Sequence, residues 1–193
     1  MAFLPQDFFF KKAKKENFLA RSIYKLEEIV HKFNIPLKNK FVFDCGASPG
    51  SWCQYLLKSD VKKIIALDLQ PLKIAHPNLQ FFQKDFYEIM TIKDLFIDQH
   101  FDLIVSDMAP NTIGHKDTDH LKSIDLTEHL FSKKSFLLKQ SGHMICKVFE
   151  GRLLDDFIRK EKKSFKSIQL FRPEAIRSMS SEIYIIAKGY TFS

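Results

Sequence analysis

Phe41-Val-Phe-Asp-Cys45 runs without a break into Gly46-Ala-Ser-Pro-Gly-Ser-Trp52. The first five residues are a short apolar run with one acid, the pattern of a buried strand. The glycines that follow read as a strand-to-helix turn. Gly46 lets backbone approach a ligand closely, and Gly50 opens a helix through Trp52, Tyr55 and Leu56. In an open α/β sheet, ligands bind beyond the carboxyl ends of the strands, at the first strand's turn. These glycines have neither the Gly-x-Gly-x-x-Gly spacing of nicotinamide binders nor the Lys-Ser/Thr of a P-loop. No cradle for a pyrophosphate is evident, which suits a cofactor without phosphate.

On either side of that turn, apolar runs alternate with helical patterns. Residues 63–69, 79–82, 101–106 and 143–149 read as the second to fifth strands. Ile23, Leu26, Ile29, Val30 and Phe33 recur at helical spacing and predict a helix over residues 21–33, ended by Pro36. Residues 121–138 read as a long helix and 153–158 as a short one. Residues 165–171 and 182–188 are closing strands with no clear helix between them, so this pair is expected to be antiparallel. The alternation predicts a mostly parallel sheet covered by helices on both faces.

Acids stand where the strands end. Asp68 closes the second strand, about two dozen residues after the glycine turn, where such folds keep an acid for two ribose hydroxyls. Asp85, after the third strand, suits the exocyclic amine of a base. The fourth strand ends in Ser106-Asp-Met-Ala-Pro-Asn111, which puts Asp107 on the rim where substrates bind. Lys147 interrupts the apolar run Met144-Ile-Cys-Lys-Val-Phe149, and a lysine in a buried strand is costly unless paired or facing a cleft. Glu182 starts the last strand, and Lys25 interrupts an apolar helix face. Each has an ordinary structural explanation as well: a strand-end cap, a solvated lysine, a buried ion pair.

Composition narrows the partners. The chain of 193 residues suits one domain, and its formal net charge of +7 favours a polyanionic partner, nucleic acid or an acidic membrane surface. No run of apolar residues is long enough for a transmembrane helix. The apolar start lacks a charged n-region and a small-residue cleavage site, so no secretory signal is expected, and no Arg/Ser-rich presequence is seen. Three cysteines, an odd number without metal-ligand spacing, fit free thiols in a reducing cytosol, and the seven scattered histidines predict no metal site.

Taken in order, the segments resemble the FtsJ/RrmJ-type ribose 2′-O-methyltransferase family over nearly the whole chain. The matching residues are Lys12-Ala13, Arg21-Ser-Ile-Tyr-Lys-Leu26, Asp44-Cys-Gly-Ala-Ser-Pro-Gly-Ser-Trp52 and Asp68-Leu-Gln-Pro71. They continue with Asp85-Phe86, Ser106-Asp-Met-Ala-Pro-Asn111, Asp119-His120, Lys147-Val-Phe-Glu-Gly151 and Ser181-Glu-Ile-Tyr184. The resemblance implies a Rossmann-like S-adenosylmethionine-dependent methyltransferase fold, with a seven-stranded sheet and one antiparallel strand near an edge. It puts a Lys-Asp-Lys-Glu catalytic tetrad on Lys25, Asp107, Lys147 and Glu182. It puts contacts to S-adenosyl-L-methionine on Gly50, Trp52, Asp68, Asp85 and Asp107, with Gly46 and Phe86 as neighbours. Ser48 replaces the family's usual Ala and Ser51 a frequent Gly. Phe18-Leu19 replaces a Tyr-Arg pair, which removes one basic contact on the substrate side.

The implied reaction is methylation of a ribose 2′-hydroxyl, with a uridine of large-subunit ribosomal RNA as the expected target. Alternatives are tRNA, an mRNA cap, or a non-catalytic ribosome-assembly factor, and the filled tetrad positions weigh against the last. Expected RNA contacts are Lys11, Lys12, Lys14, Lys15 and Arg21, with Lys160, Lys162, Lys163 and Lys166 as a second cluster that reads equally well as a solvated face. One domain over residues 1–193, with a basic arm and helix over about residues 1–35 on the RNA side, acting as a cytoplasmic monomer, completes the expectation. Lys147 is either the base or the group that orients the hydroxyl. A free lysine titrates near 10.4, burial and Lys25 lower it, and Asp107 and Glu182 raise it. Sequence leaves that contest open.

Overall fold

A computed structural model describes residues 5–192, with side chains from residue 8 onward. Residues 1–4 and 193 of the expected domain and arm lie outside the described residues. The chain begins with α1 (Pro5–Lys15) and α2 (Ile23–Phe33), then β1 (Phe41–Cys45), α3 (Ser51–Lys58), β2 (Lys63–Asp68) and β3 (Leu79–Gln83). Two short 3-10 turns, Phe86–Glu88 and Ile92–Leu95, lead to β4 (Phe101–Ser106), α4 (Lys116–Ser132) and α5 (Lys134–Leu137). The chain closes with β5 (Leu138–Phe149), α6 (Leu154–Glu161), β6 (Phe165–Phe171) and β7 (Glu182–Tyr190).

The strands form one seven-stranded sheet in the order β3-β2-β1-β4-β5-β7-β6. β7 runs antiparallel to both of its neighbours, and the other pairings are parallel. That is the arrangement implied by the resemblance to the methyltransferase family, and the last two strands are antiparallel as the lack of a helix between them predicts. Its strands alternate between two buried faces. Val42, Ile64, Leu103 and Ile145 pack with Leu26, Ile29 and Leu56 from α2 and α3. Phe43, Ile65, Ile104 and Met144 face Ile124, Phe131 and Phe157 from α4 and α6. Because both faces are covered, the strands read as continuous apolar runs.

α2 forms where its apolar positions recur every three or four residues, and it stops at Asn34, whose left-handed φ of 51° ends the helix before Pro36. The expected long helix is two pieces. α4 starts earlier, at Lys116, and ends at Ser132, and β5 begins at Leu138 instead of His143. Phe101 pairs with Leu138 while Leu103 pairs with His143, so residues between them bulge from the ladder. Those residues are polar and mostly exposed, which hides the strand from a reading based on apolar runs. The helix α1 was expected only as a basic arm. It docks through Phe9 and Ala13, four residues apart, on Tyr24.

Candidate active site

The carboxyl ends of β1, β2 and β4 meet around a cleft of about 500 Å³, whose walls include Gly46, Asp68, Asp85, Phe86 and Asp107. These five come from the residues expected at the cofactor. Asp68 ties two loops together: its Oδ2 accepts from the Ser48 N–H and its Oδ1 from the Gln70 N–H, both at 2.8 Å. Asp85 accepts from the Tyr87 N–H at 2.9 Å and so caps the turn that carries Phe86. Gly46 has a φ of 81°, and a Cβ there would stand 2.4 Å from Met108 Cγ. Glycine therefore lets the turns after β1 and β4 touch.

Gly50 and Trp52 stand apart from that wall. Gly50, with a φ of 115°, precedes α3 and packs against Ile74 and Leu19. Trp52 is buried, donates from Nε1 to the Ser22 carbonyl at 2.8 Å, and lies 6.0 Å from the Tyr184 ring. It braces α2 and β7 from behind.

The four tetrad positions come together in a row. Register pairs Lys147 on β5 with Tyr184 on β7, and Phe149 with Glu182, while Asp107 follows β4 directly. Lys147 Nζ lies 3.2 Å from Asp107 Oδ1 and also donates to the Asp107 carbonyl. Lys25, buried on α2, donates to Glu182 Oε1. Between the two ion pairs sits the Tyr184 hydroxyl, 2.7 Å from Asp107 Oδ1 and 2.8 Å from Glu182 Oε1. Burial alone would raise the Asp107 carboxyl, but the charges of Lys147 and Lys25 and hydrogen bonds from Tyr184 and Lys147 outweigh it and hold it below the usual range. Burial, then the neighbouring acids, push the Tyr184 phenol well up, so it keeps its proton.

Tyr184 is the residue that sequence reasoning missed. It lies two positions after Glu182 on one strand, so both side chains share a face, and that spacing was the available signal. Asp119 and His120 gained a part as well. Asp119 accepts from the Ile113 and Gly114 N–H groups and holds the loop after β4. His120 Nδ1 lies 2.8 Å from the Phe149 carbonyl, and its Nε2 accepts from the Leu153 N–H at 3.2 Å. Those two bonds set the tautomer with the proton on Nδ1. One helix thus holds the loops that follow Asp107 and Lys147.

Of the expected RNA contacts, Lys11, Lys14 and Lys15 are exposed on α1. Lys12 Nζ instead sits 4.3 Å over the Tyr24 ring, and Arg21 is partly buried at the entry to α2. Among the described residues no group of three or more His, Cys, Asp or Glu could hold a metal ion, and no helix is long and apolar enough to cross a membrane.

The sequence pattern of a family described as FtsJ-like methyltransferase matches residues 18–190. The chain is 38% identical over 191 residues to the ribosomal RNA large subunit methyltransferase E of Brachyspira hyodysenteriae, covering 96% of each. It is 39% identical over 195 residues to the protein of the same name from Bdellovibrio bacteriovorus, covering 96% of this chain and 97% of that one. Among solved structures, it is similar to a ribosomal RNA methyltransferase of Plasmodium falciparum, with a TM-score of 0.77 and 29% identity over 90% of this chain and 98% of that one.

Proposed function

Since the chain belongs to the FtsJ-like methyltransferase family, we propose that it moves a methyl group from S-adenosylmethionine to a ribose 2′-hydroxyl of large-subunit ribosomal RNA. The observation that carries this reading is the row Lys25, Glu182, Tyr184, Asp107, Lys147, whose Asp107 also belongs to the cleft wall. The names of the relatives from Brachyspira and Bdellovibrio support ribosomal RNA as the substrate.

The cleft suits the donor on charge. Its walls carry the carboxylates of Asp68, Asp85, Asp107 and Asp125 against Lys84 and Lys122. Such an excess of acids repels a pyrophosphate and favours a cationic ligand that offers hydroxyls and amines. Asp68 would take the ribose hydroxyls and Asp85 the exocyclic amine, while Gly46 lets the turns after β1 and β4 close on each other at Met108. Bound there, S-adenosylmethionine would supply a methyl group activated by its sulfonium charge.

The chain's own work is alignment and charge control. Asp107 anchors Lys147 through its carboxylate and its carbonyl, which occupies two of the three N–H groups of the ammonium. The third is left for the ribose oxygen, where it orients the hydroxyl and steadies the negative charge that develops as the oxygen takes the methyl group and its proton passes to solvent water. Lys25 and Glu182, tied to Asp107 through Tyr184, keep that anchor from swinging. Lys147 thus acts as cation and guide.

Purified protein incubated with methyl-labelled S-adenosylmethionine tests the reading. Large ribosomal subunits, their extracted RNA and tRNA are offered separately. Label on large-subunit RNA, recovered in an alkali-resistant dinucleotide, is the expected result. Label on a base would remove the ribose hydroxyl from the proposal, and label on tRNA alone would remove the ribosomal substrate.

A further inference from the structure

Asp125, His129 and Lys133 stand four positions apart, on one stripe formed by the later half of α4 and the residue that caps it. All three reach the turn from Asp85 to Ile89. Asp125 Oδ2 accepts from the Tyr87 hydroxyl at 3.2 Å. The His129 ring stacks on Tyr87 with centroids 4.2 Å apart, and meets Phe86 edge-on at 5.4 Å. Lys133 donates to the Ile89 carbonyl, and its ammonium lies 5.3 Å from the centre of the Phe86 ring.

The turn needs such support. It follows β3, which is an edge strand, so no further strand flanks it. Its helical part is only Phe86–Glu88, too short to hold its shape by its own hydrogen bonds. Yet it carries a wall of the cleft. Asp85, Phe86, Tyr87 and Asp125 line that wall, whereas His129 and Lys133 stand behind it. Lys133 is buried, and among the described residues no carboxylate lies within ion-pairing distance of it. A cation buried without a counter-charge is costly, and an apolar side chain would fill the same space. What the lysine adds is its bond to the Ile89 carbonyl and its attraction to the Phe86 ring. Burial, then the charge of Lys133, lowers the pKa of His129, and Asp125 and Asp85 act the other way. The histidine therefore stacks as a neutral ring at neutral pH.

We infer that Asp125, His129 and Lys133 are positioning residues that fix where the Asp85 carboxylate stands, and so give the cleft its preference for a base bearing an amine. The inference rests on the reading that the cleft takes S-adenosylmethionine with its exocyclic amine at Asp85. An amine donates to a carboxylate. An inosine base puts a carbonyl oxygen at the same place, and the carboxylate repels it. That distinction survives only while the carboxylate is held to within about 0.5 Å. A turn free to shift would carry Asp85 away from either base.

The test measures calorimetric affinity for S-adenosylhomocysteine and for its inosine counterpart, with methyl transfer to large ribosomal subunits followed in parallel. Wild type should prefer the adenine ligand about thirtyfold, the effect of one hydrogen bond to a charged group. Lys133→Met and His129→Ala should each weaken the adenine ligand about tenfold and leave the inosine ligand within about twofold. The preference thus shrinks, while kcat at saturating donor stays near wild type. His129→Phe keeps a stacking ring and should retain most of the preference. Tyr87→Phe, at a half-exposed position that does not threaten folding, removes the Asp125 contact alone and should cost about threefold. Equal losses for both ligands would show that the stripe only packs, and unaltered affinity in the variants would show that the turn holds itself. Either result overturns the inference alone. A wild type that binds neither ligand overturns the donor reading along with it, and one that binds both alike overturns the assignment of Asp85 on which the inference stands.

Discussion

The hydroxyl of Tyr184 lies 2.7 Å from Asp107 Oδ1, and the same oxygen is 2.8 Å from Glu182 Oε1. It has one proton and two carboxylates to serve, so it bonds them in alternation and joins two ion pairs into one row. The row draws on α2, β4, β5 and β7, and a shift in any of them would be felt at Lys147.

Tyr184→Phe keeps the buried ring and its packing beside Trp52, so the fold should survive. The lost bridge should lower kcat about tenfold, the equivalent of ~1.4 kcal/mol, within the range of one net hydrogen bond. Thermal unfolding and initial rates check both halves. Full activity would mean that the two ion pairs work independently.

Lys147→Ala removes the group assigned to the ribose oxygen. Methyl transfer should fall by about a hundredfold or more, while calorimetry finds donor affinity within a few-fold of wild type. Retained turnover would sink the assignment.

Gly46→Ala tests the contact between the turns after β1 and β4. At a φ of 81°, the added Cβ would meet the Met108 backbone N at 2.9 Å as well as its side chain, and backbone cannot step aside cheaply. A loss of about 1–3 kcal/mol in stability is expected from the strained conformation. Donor binding should weaken at least tenfold. Unaltered binding would show that the close approach is not needed for the cleft.

Asp44 is a buried acid beside the cleft with one oxygen, Oδ1, lacking a partner among the described residues. Burial pushes it up, a hydrogen bond from the Cys53 thiol pulls it down, and Asp107 and Asp68 push it up again, to about 7. Below about pH 4 it is protonated whether folded or unfolded, so it makes no difference to stability. From there to about pH 7 the unfolded chain releases the proton that the folded chain keeps, and folding loses up to about 4 kcal/mol as pH rises. Asp44→Asn lacks this loss. Its melting temperature should exceed wild type most at pH 8 and converge with it near pH 4, and a gap that ignores pH would exclude the mechanism.

Much of this was legible in residue order. The apolar runs marked all seven strands, the lack of a helix before residues 182–188 marked the antiparallel pair, and the glycine turn with Asp68, Asp85 and Asp107 marked the cleft. These are local properties: period, turn chemistry and strand-end position act within a few residues. Trp52 shows where that ends. Its indole bonds the Ser22 carbonyl and lies beside the Tyr184 ring, contacts between distant segments that its place in the motif does not encode.

Local pattern determined the strands, the turn and the kinds of residue available. Only the tertiary structure decided which of them meet. Lys25 and Glu182 are 157 positions apart, and Tyr184 and Asp107 are 77 apart. No short-range rule links them. Pairing of Lys147 with Tyr184 across β5 and β7, and packing of α2 on that sheet, bring them within hydrogen-bonding reach. Register is a collective property of whole strands, because a slip of one residue would turn every one of these side chains to the other face.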